Sequence, residues 1–316
     1  MATRNPQLAT RNSQLATQNM NPIVKTILIV FFAFLIIGLI VAHFSAPYAI
    51  IKRPRNPLNP GLNPAKFGLD YEKIIVQTVD ALEMHGFYIP SAINATYGTI
   101  ILLHGIGSCK ENMLPLALKL AHEGYNTVPM DSRAHGESGG DYITFGHFEK
   151  QDVWSIVDFL ETEKGLKNIG IRGASMGGAI ALQALEHDER LQFGIIECTF
   201  ADLSDVVFDY QKLWLGLESR FVSNYTLNRA AKIAKFFAKD IKPGESAKNI
   251  EQPVFYAHGD ADANISVDYG KQIYENLASK NKELVIVEGA EHENLMGHGG
   301  EAYWSKLMGF LGKLRK

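Results

Sequence analysis

The sequence predicts an α/β domain, a mostly parallel sheet with helices on both of its faces. Three observations predict it. Short apolar runs of strand length alternate with longer segments whose apolar residues recur at helical spacing, from residue 71 to the end of the chain. Runs such as "TIILLHG" (99–105) are continuously apolar rather than alternating, as strands buried on both faces must be. One run, "NIGIRGAS" (168–175), passes through a glycine-flanked serine straight into a helical pattern, "MGGAIALQALE" (176–186).

The elements follow in order. "EKIIVQTV" (72–79) and "EMHGFYI" (83–89) read as strands joined by a short turn at Asp80 and Ala81, an antiparallel pair at the N-terminal edge of the sheet. The "TIILLHG" strand leads to a helical pattern over 111–123 and then to the short strand "NTVPMD" (126–131). In "FEKQDVWSIVDFLETE" (148–163), Val153, Ile156, Val157 and Leu160 share one helical face. After the 168–175 strand and its helix come "FGIIECT" (193–199), "PVFYAHG" (253–259) and "ELVIVEG" (283–289), a helix between the last two, and a final helix. The section 201–250 breaks the alternation. It is helical and aromatic, and it predicts a small helical cap over the C-terminal edge of the sheet, where open α/β sheets bind ligands.

Ahead of this domain at 71–316 the chain is of another kind. Residues 1–22 hold a polar seven-residue repeat ("ATRNPQL", "ATRNSQL"), too polar and short for a coiled coil, and read as a disordered leader in which Met20 offers a second start. Residues 23–44 are almost wholly apolar and long enough to cross a bilayer. A secretory signal has a shorter apolar region and a small-residue cleavage site, and "AHFSAP" is a poor one, so the run reads as a single-pass transmembrane anchor. Arg4, Arg11 and Lys25 precede it and Lys52, Arg53 and Arg55 follow, which leaves the orientation open; a start at Met20 would tip it toward a cytoplasmic C-terminal side. The proline-rich stretch "RPRNPLNPGLNP" places an extended linker at 45–70.

Composition narrows the partners. With 21% charged residues and a formal net charge of -3, no strongly basic face is implied, so nucleic acid is not an expected partner. Cys109 and Cys198 lack metal-ligand spacing and cannot make a disulfide framework. They read as two small apolar side chains, with a single bridge left undecided.

The Gly-x-Ser-x-Gly pattern occurs twice, around Ser175 in "GASMGG" and around Ser138 in "GESGG". Ser175 has the context a nucleophile needs: a strand enters, a sharp turn follows, and a helix leaves whose first N–H groups are unpaired. Ser138 has neither strand nor helix beside it and reads as a polar loop residue. A nucleophilic serine needs a base and an orienting acid. His292, in "GAEHENL" just past the 283–289 strand, would open at the same sheet edge as Ser175; His298, six residues on, is its rival. The acid should come from the loop after "PVFYAHG", which offers Asp260, Asp262 and, further on, Asp268. Strand order alone does not choose between the first two.

From about Tyr71 onward the chain resembles the α/β-hydrolase superfamily. The segments that carry the likeness are "LLHGIG", "DSRAHGES", "GASMGG", "HGDAD" and "GAEHENL", in the order Ser, Asp, His. Ala134 replaces a usual Gly, and Ala174 stands where many members have His. The nearest likeness is to the membrane-anchored, BEM46-like type with a short helical cap. The resemblance implies that Asp262, last in His-Gly-x-x-Asp, is the acid and that Asp260 stabilises its loop. It also implies that the backbone N–H groups of Ile106 and Met176 form the oxyanion hole, and that His104 holds that loop without a chemical role.

The expected activity is therefore hydrolysis of a carboxylic ester through an acyl-enzyme on Ser175, with a small acyl substrate and no metal or organic cofactor. Amide, peptide or thioester hydrolysis and acyl transfer use the same groups, and a non-catalytic scaffold would show a degraded triad. A dehalogenase would need Asp at position 175. Phe200, Phe208, Trp214, Phe221, Tyr225 and Phe236 in the cap could line an acyl pocket, though most are expected to form the cap's own core.

Overall fold

The computed structural model of the chain describes residues 21–55, 61–292 and 294–315. Apart from Asn21 and Pro22, the expected leader lies outside them. The chain divides between Tyr48 and Ala49 into two units.

In the first unit the described residues belong almost entirely to helix α1 (Pro22–Ile51), whose last turn crosses into the second unit. Its 30 residues span about 45 Å at 1.5 Å per residue, more than a bilayer's hydrocarbon core of about 30 Å. Among the described residues it is the one helix long and apolar enough to cross a membrane.

The second unit holds one eight-stranded sheet in the order β1-β2-β4-β3-β5-β6-β7-β8. The strands are β1 (Glu72–Gln77), β2 (Glu83–Tyr88), β3 (Gly98–Leu103), β4 (Tyr125–Met130), β5 (Ile169–Ala174), β6 (Leu191–Glu197), β7 (Val254–Gly259) and β8 (Lys282–Val287). β1 and β2 form the antiparallel edge, β2 meets β4 antiparallel, and every pairing from β4 to β8 is parallel. All residues of β3, β4, β5 and β7 are buried, which is why β3 and β7 read as nearly continuous apolar runs, while β4 and β5 bury Asn126, Thr127 and Arg172 among their apolar residues.

Two apolar layers enclose the sheet. On one face α3 (Glu149–Thr162) and α4 (Met176–His187) pack through Val153, Ile156, Leu160, Ile180 and Leu185. On the other, α2 (Leu114–His122) and the last helix contribute Leu114, Leu120, Leu307 and Phe310. Each such side chain taken fully from water contributes about 1.5–3 kcal/mol, so these layers fix the strand register that positions the loops. The helix expected from 111 begins as a 3-10 turn, Lys110–Met113, before becoming α-helical. The last helix, Leu295–Leu314, is broken at Gly300, which has φ 50°.

Between β6 and β7 lies the expected insertion: α5 (Leu203–Leu215), α6 (Arg220–Ala234) and short turns up to Asn249. α7 (Val267–Asn276) bridges β7 and β8, and the last helix is α8. The aromatic core expected for the insertion is not what forms. Phe200 and Phe236 are buried, but Trp214, Phe221 and Tyr225 face solvent, and the residues the two helices bury are the smaller Leu203, Val206, Leu227, Ala230 and Ala234.

The stretch 45–70 also differs from an extended linker. It opens inside α1, and Ile51 is buried with its carbonyl accepting from the Ile143 N–H at 2.9 Å. The Arg55 guanidinium donates to the carbonyls of Ser138 and Gly140, and Leu62 and Leu69 pack on the α2–α8 side. Ile51, Arg55, Leu62 and Leu69 thus find partners on the domain, so these residues of the segment lie along it.

Candidate active site

The turn from β5 to α4 carries Ser175. Its backbone sits at φ 53° and ψ -122°, a conformation non-glycine residues rarely adopt and one that a tight strand-to-helix turn imposes. Bonds on both sides hold it there: its N–H donates to the Glu197 carbonyl at 2.9 Å, and its carbonyl accepts from the Thr199 hydroxyl at 2.7 Å. The flanking glycines are required by contact. A Cβ at Gly173 would lie 2.1 Å from the Gly177 carbonyl oxygen, and one at Gly177 would lie 2.6 Å from the Leu103 carbonyl oxygen. The pattern around Ser175 is thus a packing requirement where β3, β5 and α4 converge.

Two further loops meet Ser175. His292 follows β8 and places Nε2 3.0 Å from Ser175 Oγ. Asp262 follows β7 and places Oδ2 2.6 Å from His292 Nδ1. Burial alone would raise the Asp262 carboxyl. Hydrogen bonds from His258 and His292, the His292 charge and the Ile265 N–H outweigh it, and the net shift is downward from the usual carboxylate range. An ionised Asp262 only accepts, so His292 Nδ1 carries the proton and Nε2 is left to accept from the Ser175 hydroxyl. The other carboxylate oxygen accepts from the N–H groups of Asn264 and Ile265, both at 2.9 Å.

The rival residues stand elsewhere. Asp260 is exposed and accepts from the Gly289 N–H at 2.6 Å, tying the loop after β7 to the loop after β8. Asp268 pairs with Lys271 at 3.0 Å in the first turn of α7. His298 lies in the first turns of α8 beside Gly289, and no bond joins it to Ser175 or Asp262 among the described residues. Ser138 is fully buried; its hydroxyl donates to the Asp131 carbonyl at 2.7 Å and accepts from the His85 N–H at 2.9 Å, pinning its loop to β2.

The loop after β3 holds Ile106. No hydrogen bond of the Ile106 N–H is found among the described residues, while its neighbour Gly107 donates to His135 Nε2 at 3.1 Å. Met176 is the first residue of α4, so its N–H has no intrahelical acceptor. His104 and His135 brace this loop as neutral rings. His104 Nε2 accepts from the Ser132 N–H at 3.0 Å, and its Nδ1 donates to the Gly105 carbonyl at 2.7 Å. Burial, reinforced by His135, lowers the His104 imidazole to about 4, and burial lowers His135 as well.

Several contributors were absent from the sequence reading. His258 is fully buried, with Nε2 3.0 Å from the Ile265 carbonyl and 3.4 Å from Asp262 Oδ2, so two histidines flank one carboxylate. The His-Gly-x-x-Asp segment contains it, and that match was the signal available. Buried Lys110 reaches Asp131 at 2.7 Å and Glu137 at 2.6 Å, anchoring the end of the loop after β3; residues so far apart in sequence left no local trace. Cys109 and Cys198 are both buried, and no disulfide joins them among the described residues. Cys198, His258 and Asp262 offer ligand-type atoms within 4.8 Å of one another, but three ligands are one short of a closed tetrahedral zinc site, and Asp262 and His258 are already engaged in hydrogen bonds.

Comparison with known proteins gives a consistent picture. Residues 94–244 match the family described as serine aminopeptidase, S33. The chain is 30% identical over 260 residues to the uncharacterized protein YqkD of Bacillus subtilis, covering 75% of this chain and 82% of that one. It is 24% identical over 273 residues to the alpha/beta hydrolase domain-containing protein WAV2 of Arabidopsis thaliana, covering 81% and 85%. Among solved structures, the esterase Pf2001 of Pyrococcus furiosus superposes with a TM-score of 0.69 at 26% identity, over 84% of this chain and 100% of that one.

Proposed function

Because the chain belongs to the α/β-hydrolase superfamily, we propose that it is a membrane-anchored serine hydrolase of the BEM46-like type that cleaves carboxylic esters through an acyl-enzyme. The observation that carries this reading is the unbroken relay from Ser175 Oγ to His292 at 3.0 Å and from His292 to an ionised Asp262 at 2.6 Å. The anchor would be 23–44 within α1, and the catalytic domain would be 71–316, with its insertion as the cap.

In the proposed reaction His292 Nε2 takes the Ser175 proton as Oγ attacks the ester carbonyl. Asp262 stabilises the imidazolium and keeps the proton on Nδ1. The N–H groups of Ile106 and Met176 donate to the oxyanion; each such donor is worth about 3 kcal/mol in the transition state. His292 then gives its proton to the departing alkoxide. Water, deprotonated by the same ring, attacks the acyl-Ser175, and collapse returns the carboxylic acid and the free serine. The small acyl ester and the bilayer are the partners this reading requires.

A peptide or amide bond is the second reading, favoured by the aminopeptidase description of the matching family. Both readings require an activated Ser175. The test is a fluorophosphonate probe followed by parallel assays on short-chain nitrophenyl esters and on amino-acid nitroanilides. Ser175→Ala should lose labelling and ester turnover together. Undiminished labelling of that variant would end the proposal, and faster turnover of the anilides would replace the ester by the amide.

A further inference from the structure

The tip of the α5–α6 hairpin is built in a way that its own packing does not require. Phe221 is 80% exposed, Leu215 74% and Trp214 65%, and Leu213, Leu217 and Val222 are exposed beside them. Scattered apolar residues are normal on a protein surface, but six large ones around a single turn form a patch. The turn is well constructed. Gly216 caps α5 in the left-handed conformation, the Gln211 side chain donates to the carbonyls of Leu217 at 2.8 Å and Ser219 at 3.1 Å, and Ser219 caps α6. Backbone groups that would otherwise favour water are satisfied internally, and the side chains are held outward. The residues that fix the hairpin to the domain, among them Leu203, Val206, Leu227 and Ala230, occupy its other faces.

Three features choose the occupant. The patch is confined to one interhelical turn and the residues flanking it, whereas a stable protein partner needs about 800 Å² per side with complementary shape. Lys212 and Arg220 stand on its two shoulders, paired with Glu218 at 2.8 Å and Asp205 at 2.6 Å, and both remain about half exposed. An apolar edge containing an exposed indole and flanked by cations suits the boundary between acyl chains and headgroups. Finally, the chain carries its own membrane-length helix, which is continuous up to Ile51, and Ile51 is buried in the domain. As an anchor, α1 brings a bilayer to the same chain.

We propose that the α5–α6 tip is a second membrane contact, with Trp214, Leu215 and Phe221 inserted at the headgroup–acyl boundary of the bilayer that α1 enters. This rests on the anchor reading of α1 and not on the esterase chemistry.

The test uses the full chain in vesicles of phosphatidylcholine and phosphatidylglycerol, with and without brominated acyl chains. Of the three tryptophans, Trp154 and Trp304 are replaced by Phe so that Trp214 alone reports. A Leu215→Cys protein carrying an environment-sensitive fluorophore repeats the measurement without touching any tryptophan. The expected result is that the protein floats with the vesicles, that Trp214 loses most of its emission to bromine, and that Leu215→Asp restores it while leaving hydrolysis of a soluble ester unchanged. Flotation with identical emission in both lipids overturns the proposal. Failure to float removes the anchor and the proposal with it. An emission change that follows protein-to-lipid ratio instead of bromine assigns the patch to a second copy and overturns it too. Fluorophosphonate labelling in the same samples reads the hydrolase assignment separately.

Discussion

Acidification from pH 7 to 4 should destabilise the domain by forcing a proton onto His104, and the size of the effect follows from the ring's surroundings. His104 has no exposed surface, and both its nitrogens are in use: Nδ1–H donates to the Gly105 carbonyl and Nε2 accepts from the Ser132 N–H. A proton on Nε2 would set two donors against each other where water cannot intervene. Burial first, then neighbouring His135, lowers the imidazole from 6.5 to about 4, although Asp131 and the Gly105 carbonyl pull the other way. Between those values the unfolded chain binds a proton that the folded chain refuses, so stability is whole above about pH 6.5 and is lost as pH falls through about 4. At 1.36 kcal/mol per unit the loss is about 3 kcal/mol by pH 4, and His135 acts in the same direction. With a urea slope of about 2–3 kcal/mol/M, the unfolding midpoint should fall by about 1 M. The assay is urea unfolding of the full chain in a mild nonionic detergent at pH 7, 6, 5 and 4, compared with His104→Gln. The amide can still accept from Ser132 but does not titrate. Carboxylates destabilise both proteins in acid, so the difference in slope isolates the imidazole. Equal losses in the two proteins over this range would refute the reasoning.

Four further outcomes are expected. Asp262→Asn should lower kcat/KM by roughly four orders of magnitude with the fold retained, because the amide favours the unproductive imidazole tautomer, whereas Asp260→Asn should cost about 1 kcal/mol of stability and little activity; steady-state kinetics and melting of both variants check this. Ser138→Ala should keep fluorophosphonate labelling but lower the melting temperature, since it removes the acceptor of the part-buried His85 N–H at a cost of about 1 kcal/mol. Gly177→Ala should lose at least about 2 kcal/mol and its labelling together, because the new methyl meets the backbone carbonyls of Leu103 and His104, as a melt and a labelling gel on the same sample would reveal. The full-length protein should pellet with membranes and resist carbonate extraction; complete recovery of uncleaved protein in the soluble fraction would remove the anchor.

What the sequence made legible is whatever depends on local pattern and chain order. The parallel sheet was readable because strands buried on both faces are predominantly apolar, so "TIILLHG" and "PVFYAHG" stand out against their helical neighbours. Ser175 was separable from Ser138 because a turn between a buried strand and a helix must bring backbone against backbone, and Gly173 and Gly177 are the trace of that contact. The choice between Asp260 and Asp262 was illegible to strand order, since both follow β7 by a few residues. What separates them is the direction of each carboxylate, toward Gly289 in one case and His292 in the other, and only the resemblance to a family offered a guide. The braces around the loop after β3 left still less trace. Lys110, Asp131 and Glu137 stand apart in the sequence, and only the fold buries Lys110 against the other two; His104 and His135 likewise become neighbours only because β3 and β4 run side by side. The insertion inverts the usual inference from aromatic content to core. The buried residues of its helices are mostly alanines and aliphatics, and Trp214 and Phe221 stay exposed. Burial of an aromatic side chain thus depends on a facing surface with room for it, and in α5 and α6 the small residues line the inner side while the large apolar ones gather at the turn, where a lipid surface is the environment that suits them.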